Sequence, residues 1–336
     1  MKKVTIVAEI GVNHNGDIKL AKRMIKEAKK CGADVVKFQT FFADLFIKIN
    51  TGKVKYQKKN TAKKENHYQM IKKLELKRKE FFKLKNYCDR LNIEFLSTPY
   101  DIESVDLLEQ LKVKRYKVAS ADLVDMLLHK RILQTKKPVI LSTGMATIEE
   151  IRKTVEFYKK NNMKKITLLH CVSNYPCSYR SINLNIIPKL KKLFNLPIGF
   201  SDHSEGNIAA ILSVSLGGIM IEKHFTLDKN LPGPDHKASS TPREFSTLVK
   251  TIRAAETMLG NDQKKCQLEE REMRRIGRKS ITLKRSMRCG EIINEKDIIM
   301  KRPGTGLNGQ KIYMIIKKKL KKNFKKDHQI RKQDIL

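Results

Sequence analysis

The stretch 197-PIGFSDHSEGNIAAILSVSLGGIMIEKHFTLDKNLPGPDH-236 decides the fold. Residues 198–200 form a short apolar run that ends in Ser201-Asp202-His203, and 219–221 form a second that ends in Glu222-Lys223-His224. Residues 208–216 between them read as a buried helix, so the unit is strand, helix, strand. Both strands release polar residues at their C-terminal ends, where α/β sheets and barrels place active sites. His203 and His224 are expected side by side at adjacent strand ends, a pairing that suits a mid-row divalent metal.

Outward from this unit the pattern repeats. Strands are expected at 4–10, 33–38, 94–97, 115–119, 138–141 and 165–169, with helices at 17–30, 80–91, 102–111, 123–134, 147–161, 183–194 and 242–259. Asp17 can cap the first helix, and Thr147 opens a capping-box pattern. Pro188 is expected to interrupt its helix. Eight strands, each followed by a helix, predict an α/β fold, a closed (β/α)8 barrel, of about 250 residues. An open doubly wound sheet usually carries a Gly-rich phosphate turn after its first strand, and Gly11 and Gly16 lack that spacing. A polar insert at 43–77 follows the second strand, where a barrel enzyme keeps a lid; a loop without catalytic use is the other reading. Residues 261–279 are charged and read as a linker. Residues 280–336 alternate short strands with turns, a small mixed domain that needs support from a neighbour.

Composition sets wider limits. The formal net charge is +36, but lysines fall on nearly every helix face and in most loops. Nucleic-acid binders gather charge into a stripe with interleaved aromatics, so the excess reads as composition rather than as a nucleic-acid interface. Cys31, Cys88, Cys171, Cys177, Cys266 and Cys289 show no CxxC pair and read as reduced thiols of a cytoplasmic protein. No window approaches the roughly eighteen apolar residues of a membrane span.

The expected strand ends carry Glu9, Lys37 with Gln39, Ser97-Thr98, Lys117 with Ser120, Ser142-Thr143, His170, Ser201 with His203, and Glu222 with His224. A charged residue inside a barrel strand costs several kcal/mol unless paired, so Lys37 and Lys117 need partners. Lysines and hydroxyls around one mouth make a cradle for phosphate. With a His-bound metal and carboxylates at Glu9, Glu222 and Asp235, two chemistries fit: condensation of an enol phosphate with an aldehyde, or metal-assisted phosphate hydrolysis.

The segments AEIGVNHNG, VKFQTF, FLSTPYD, YKVAS, ILSTGMAT, LLHCVSNYP, GFSDHS, IEKHFTLDKNLPGPDHKAS and KRPGTG resemble, in the same order, the N-acetylneuraminate (sialic acid) synthase family, which includes the legionaminate and pseudaminate synthases. The resemblance covers nearly the whole chain. It implies condensation of phosphoenolpyruvate with N-acetylmannosamine or a related N-acylated hexosamine to a nonulosonic acid, with release of phosphate. A legionaminate synthase acting on 2,4-diacetamido-2,4,6-trideoxymannose is the alternative. It also implies a C-terminal antifreeze-like (SAF) domain, and a domain-swapped homodimer in which that domain caps the partner's barrel. His203 and His224 would then bind a divalent metal, manganese, with magnesium or cobalt as alternatives. Lys37, Thr98, Lys117, Ser120, Ser142 and Ser201 would hold phosphoenolpyruvate. Glu9, Gln39, Tyr175 and Asp235 would face the sugar, with Glu9 or a metal-bound water as the base, and Arg302 would reach in from the partner. Where the sialic acid synthases usually read Ser-Gly-Glu, this chain reads Ser120-Ala121-Asp122, and the shorter carboxylate bears on the choice of sugar. A metal-dependent aldolase or phosphatase on the same barrel, and a basic anion-binding protein without turnover, are the rival readings.

Overall fold

A computed structural model describes residues 3–62 and 64–336. The chain divides into two compact units, Met1–Gly260 and Asn261–Leu336.

The first unit holds eight parallel strands: β1 (Thr5–Gly11), β2 (Val35–Thr40), β3 (Glu94–Pro99), β4 (Tyr116–Val118), β5 (Val139–Ser142), β6 (Ile166–Cys171), β7 (Ile198–Asp202) and β8 (Met220–His224). Their order is β3-β2-β1-β8-β7-β6-β5-β4, and β3 lies beside β4, so the sheet closes on itself. This is the (β/α)8 barrel expected from the repeat. The helices outside it are set by local signals. Asp17 accepts a hydrogen bond from the Lys19 N–H (2.7 Å) at the start of Ile18–Lys30, whose Ala21, Met24, Ile25 and Ala28 form one buried face. Thr147 caps Ile148–Lys160 and Thr241 caps Pro242–Leu259, each in a reciprocal box with a glutamate.

Pro188 does not break its helix. The helix begins at Ile186, so Pro188 sits in the first turn, where its missing N–H has no carbonyl to serve. The residues before it form a separate turn, Tyr179–Ile182.

The inward positions explain why chemistry gathers at one end. Val7, Val35, Leu96, Ile140, Leu169 and Met220 fill the barrel as an apolar floor. Gly199 belongs to this layer because a Cβ there would lie 2.5 Å from the Met220 carbonyl and 2.6 Å from Leu169 Cδ2. Side chains alternate with period two along a strand. Two residues beyond the floor, the inward positions are therefore Glu9, Lys37, Thr98, Ser142, Cys171, Ser201 and Glu222, and all are buried.

The insert is a built element rather than a loop. It contains the helices Ala43–Phe46, Lys55–Asn60 and His67–Leu74, with a core of its own formed by Val12, Phe41, Ala43, Met70, Ile71 and Leu74. Asn60 Nδ2 donates to the Pro234 carbonyl (2.9 Å), which ties the insert to the loop after β8.

The second unit pairs β9 (Ser280–Leu283) with β10 (Ile298–Lys301) in antiparallel register. Its core is small: Ile281, Leu283, Met287, Ile293, Ile315, Leu320 and Ile330. The charged helix Glu270–Gly277 buries none of its residues, yet its Arg275 carbonyl accepts from the Gly304 N–H (2.7 Å).

Candidate active site

The C-terminal mouth of the barrel opens a cavity of about 360 Å³ lined by Glu9, Lys37, Thr98, Lys117, Ser142 and Glu222 at its depth. The two lysines have the partners that their burial demands. Lys37 Nζ lies 3.0 Å from Glu9 Oε2 and 3.6 Å from Glu222 Oε1, and donates to Thr98 Oγ1 (3.1 Å). Lys117 Nζ donates to Ser142 Oγ (2.6 Å) and lies 3.8 Å from Glu222 Oε1. Ser201 Oγ donates to Glu222 Oε1 (2.9 Å), and Gln39 Nε2 reaches Glu9 Oε1 (3.4 Å).

The two carboxylates share this ring but differ in acidity. Burial pushes Glu9 up to about 7, with the Lys37 ammonium only partly opposing it. Glu222 is also desolvated, but Lys117 and Lys37 outweigh burial and hold it at about 2. Their surroundings thus hold Glu222 as an anion and let Glu9 change its protonation near neutral pH.

Above the ring stand the imidazoles, with ring centroids 5.5 Å apart. His203 Nδ1 donates to the Val172 carbonyl (2.8 Å), which fixes the tautomer and leaves Nε2 with a lone pair. His224 is buried, its Nδ1 has no hydrogen-bond partner among the described residues, and desolvation holds the ring neutral. Burial opposes charge on His203, but Cys171 and the Val172 carbonyl outweigh it and raise its pKa, so His224 is the neutral donor; with His203 unprotonated at Nε2, the two nitrogens fit a divalent ion whose remaining positions go to water or substrate. No cluster of three or more His, Cys, Asp or Glu with metal-ligand geometry occurs among the described residues.

The strand ends are pinned from outside. Asp202 and Lys223, register partners on β7 and β8, form a fully buried ion pair (2.7 Å), and Lys223 also donates to the Ser204 carbonyl (2.8 Å). Each precedes its histidine by one residue, so the pair holds the two imidazoles at one height.

Other expected residues fall into place around the ring. The Tyr175 ring lies 4.1 Å from that of His203. Ser120 Oγ accepts from the Gly144 N–H (3.0 Å), and a Cβ at Gly144 would come within 2.4 Å of Ser173 Oγ and 2.8 Å of Ser120 Oγ. Asp235 is buried beside the mouth within electrostatic reach of His203 and Tyr56, and desolvation raises it to about 6. Asp122 has one buried carboxylate oxygen without a partner among the described residues, and burial, aided by Asp125, raises it to about 7.

Three expected strand-end residues point elsewhere. His170 faces outward, stacks against Phe200 at 5.7 Å, and donates from Nε2 to the Ile182 carbonyl (2.6 Å). Ser97 hydrogen-bonds Thr40 and Thr143 donates to the Leu169 carbonyl. Arg302 is exposed on the second unit beside a hollow lined by Lys264, Lys265, Glu270, Arg274 and Arg278. Val54, Tyr56, Gln57, Tyr100, Cys171 and Ser173 also line the mouth and were not singled out from the sequence. Cys171 was detectable, since it follows Leu169 by one period.

A family model described as the NeuB family matches residues 24–264. The chain belongs to the NeuB family. Over 95% of its length it is 44% identical to the N,N'-diacetyllegionaminic acid synthase of Legionella pneumophila, covering 90% of that protein. It is 43% identical to the N,N'-diacetyllegionaminic acid synthase of Campylobacter jejuni, covering 98% of this chain and all of the relative. Among solved structures, the N-acetylneuraminic acid (sialic acid) synthetase of Leptospira borgpetersenii matches with a TM-score of 0.72 and 34% identity, over 81% of this chain and 90% of that one. No helix among the described residues of this NeuB-family chain is long and apolar enough to cross a membrane.

Proposed function

We propose that this chain condenses phosphoenolpyruvate with an open-chain N-acylated hexosamine to give a nine-carbon 2-keto sugar acid and free phosphate. The observation that carries this reading is the buried ring of Lys37, Lys117, Thr98, Ser142 and Ser201 directly beneath two neighbouring imidazoles in the barrel mouth of a NeuB-family chain.

The residues divide the work. Lys37 and Lys117, with the hydroxyls, bind the phosphate and carboxylate of the enol phosphate by charge-assisted hydrogen bonds. Glu222 favours the charged form of both lysines inside the barrel, raising Lys37 and partly opposing the burial that lowers Lys117. His203 and His224 would hold a divalent ion, manganese, which supplies Lewis acidity toward the acceptor's carbonyl oxygen. C3 of phosphoenolpyruvate attacks the aldehyde carbon, and water adds to C2 as positive charge develops there. Glu9, poised near neutral pH and 3.0 Å from Lys37, takes the proton from that water. The aldehyde oxygen takes up one proton in exchange, so the first proton of the water ends there. The tetrahedral carbon then loses phosphate by breaking its C2–O bond while its hydroxyl gives the second proton to the departing phosphate, which leaves the ketone.

Charge balance supports the same reading. The two lysines face two carboxylates, so the ring is neutral, or singly positive when Glu9 is protonated. A ligand that carries both a phosphate and a carboxylate therefore needs further positive charge at the mouth. A divalent ion supplies part of it. Arg302 is proposed to supply more from a second copy of the chain, since no carboxylate among the described residues of its own unit forms an ion pair with it, and its hollow is basic but for Glu270. The second unit is read as the family's antifreeze-like domain.

The identities of 44% and 43% to the two diacetyllegionaminic acid synthases, against 34% to the Leptospira synthetase, favour a diacetamido trideoxy acceptor over N-acetylmannosamine. Asp122, in place of a longer glutamate, is consistent with a different sugar. Phosphate release from phosphoenolpyruvate, measured with each acceptor and followed by product mass, tests the choice. The expected result is a kcat/KM at least about tenfold higher for 2,4-diacetamido-2,4,6-trideoxymannose. Equal or higher efficiency with N-acetylmannosamine would reverse it.

A further inference from the structure

The far end of the mouth is built differently from its floor. Beneath it, the apolar plug closes the barrel and the lysine ring takes the enol phosphate. On the proposed reading, the acceptor's carbonyl carbon lies next to His203 and His224. The remainder of the acceptor then has one direction left, outward from the imidazoles. Along that direction the His203 ring is followed at 4.1 Å by Tyr175, and Tyr175 is followed at 5.3 Å by Tyr56. Tyr100 lines the same cavity. At the rim, Val54 is 55% exposed and Met145 70% exposed, large apolar side chains left uncovered at the opening of a polar cavity. Apolar surface of this kind around a few convergent polar groups is the usual construction of a small-molecule site.

Tyr56 belongs to the insert, on the helix Lys55–Asn60. That helix is seated rather than loose. Gln57 is buried and accepts from the Val54 N–H (3.2 Å), and Asn60 donates to the Pro234 carbonyl. The Tyr56 hydroxyl has one contact among the described residues, a long one to Gln57 Nε2 (3.5 Å). Its ring packs against that of Tyr175 in the lining of the cavity.

We infer that Tyr56 is a specificity-determining residue: with Tyr175 and Val54 it forms an apolar wall that selects acceptors whose far end carries methyl groups, the C6 methyl of a deoxy sugar or the methyl of an acetamido group. A methyl group at that end packs on the tyrosine rings, whereas a hydroxymethyl or free hydroxyl gives up water to lie against the same surface. The inference rests on the condensing activity proposed above and names the part of the chain that reads the acceptor.

The test compares 2,4-diacetamido-2,4,6-trideoxymannose with N-acetylmannosamine in wild type, Tyr56→Phe, Tyr56→Ser and Tyr56→Gln. Phosphate release gives the ratio of kcat/KM, and the rise in melting temperature on adding phosphoenolpyruvate reports an intact floor. Tyr56→Ser and Tyr56→Gln are expected to lower the ratio by about tenfold, with the KM for phosphoenolpyruvate unchanged. Tyr56→Phe keeps the ring face and is expected to keep the ratio. An unchanged ratio in a polar variant that still gains stability from phosphoenolpyruvate overturns the role of Tyr56. So does a Tyr56→Phe ratio as low as that of the serine variant, because the hydroxyl would then be the reader. A wild type that turns over neither acceptor defeats the activity itself, and that failure is visible before any substitution is made.

Discussion

Lys117→Ala is expected to raise the KM for phosphoenolpyruvate by tenfold or more while leaving the KM for the sugar near its original value. Lys117 Nζ faces Ser142 and Glu222 at the bottom of the mouth, on the side of the ring away from Glu9 and Gln39. A charge-assisted contact is worth roughly 1.5–3 kcal/mol, hence the tenfold minimum. Lys37→Ala is expected to do the same and more, because Lys37 also opposes the protonation of Glu9. Without that ammonium the Glu9 carboxyl becomes a weaker acid, and the limb of the rate profile that requires ionised Glu9 moves to higher pH. Initial rates over a grid of both substrates, repeated across pH, check each part. Unchanged phosphoenolpyruvate kinetics in both variants would remove the lysines from the cradle.

His203→Ala and His224→Ala are expected to abolish phosphate release and to leave the fold in place. Neither ring belongs to the apolar core, and the strand ends that carry them are tied independently by Asp202 and Lys223. Each substitution removes one of two nitrogen donors from an open site, so added manganese is not expected to restore either variant. Circular dichroism and thermal melting separate loss of chemistry from loss of structure. A chelated wild type that regains activity on addition of a divalent ion completes the expectation. Full activity in the metal-stripped protein, or in either variant, would contradict the assignment.

The barrel was legible in the sequence because its repeat is regular and its caps are local: Asp17 and Thr147 mark helix starts that the structure reproduces. The ring was legible for a related reason. Lysines inside apolar runs cost too much to be accidental, and Lys37 and Lys117 do carry the ion pairs their burial requires. What failed was phase. The sixth strand was expected to end at 169 with His170 at the mouth, but β6 continues to Cys171 and pairs Cys171 with Ser201. A one-residue slip turns a side chain to the opposite face, so the inward residue is the thiol and the imidazole packs outside. The insert failed for want of length. Lys55–Asn60 is six residues, too short to show a helical period, so nothing in the sequence placed Tyr56 over the mouth. The Asp202–Lys223 pair sat inside quoted motifs but was overshadowed by the histidines next to it.

The most direct measurement uses phosphoenolpyruvate labelled with ¹⁸O in the bridging C–O–P position. Turned over with the acceptor sugar, the label is followed by mass spectrometry of phosphate and of the sugar acid. Water capture at C2 followed by C2–O cleavage predicts that all of the label leaves in phosphate, and that the sugar acid carries three more carbons than the acceptor. Label retained in pyruvate, or phosphate released at the same rate without any sugar, would show a phosphatase on this barrel and contradict the condensation.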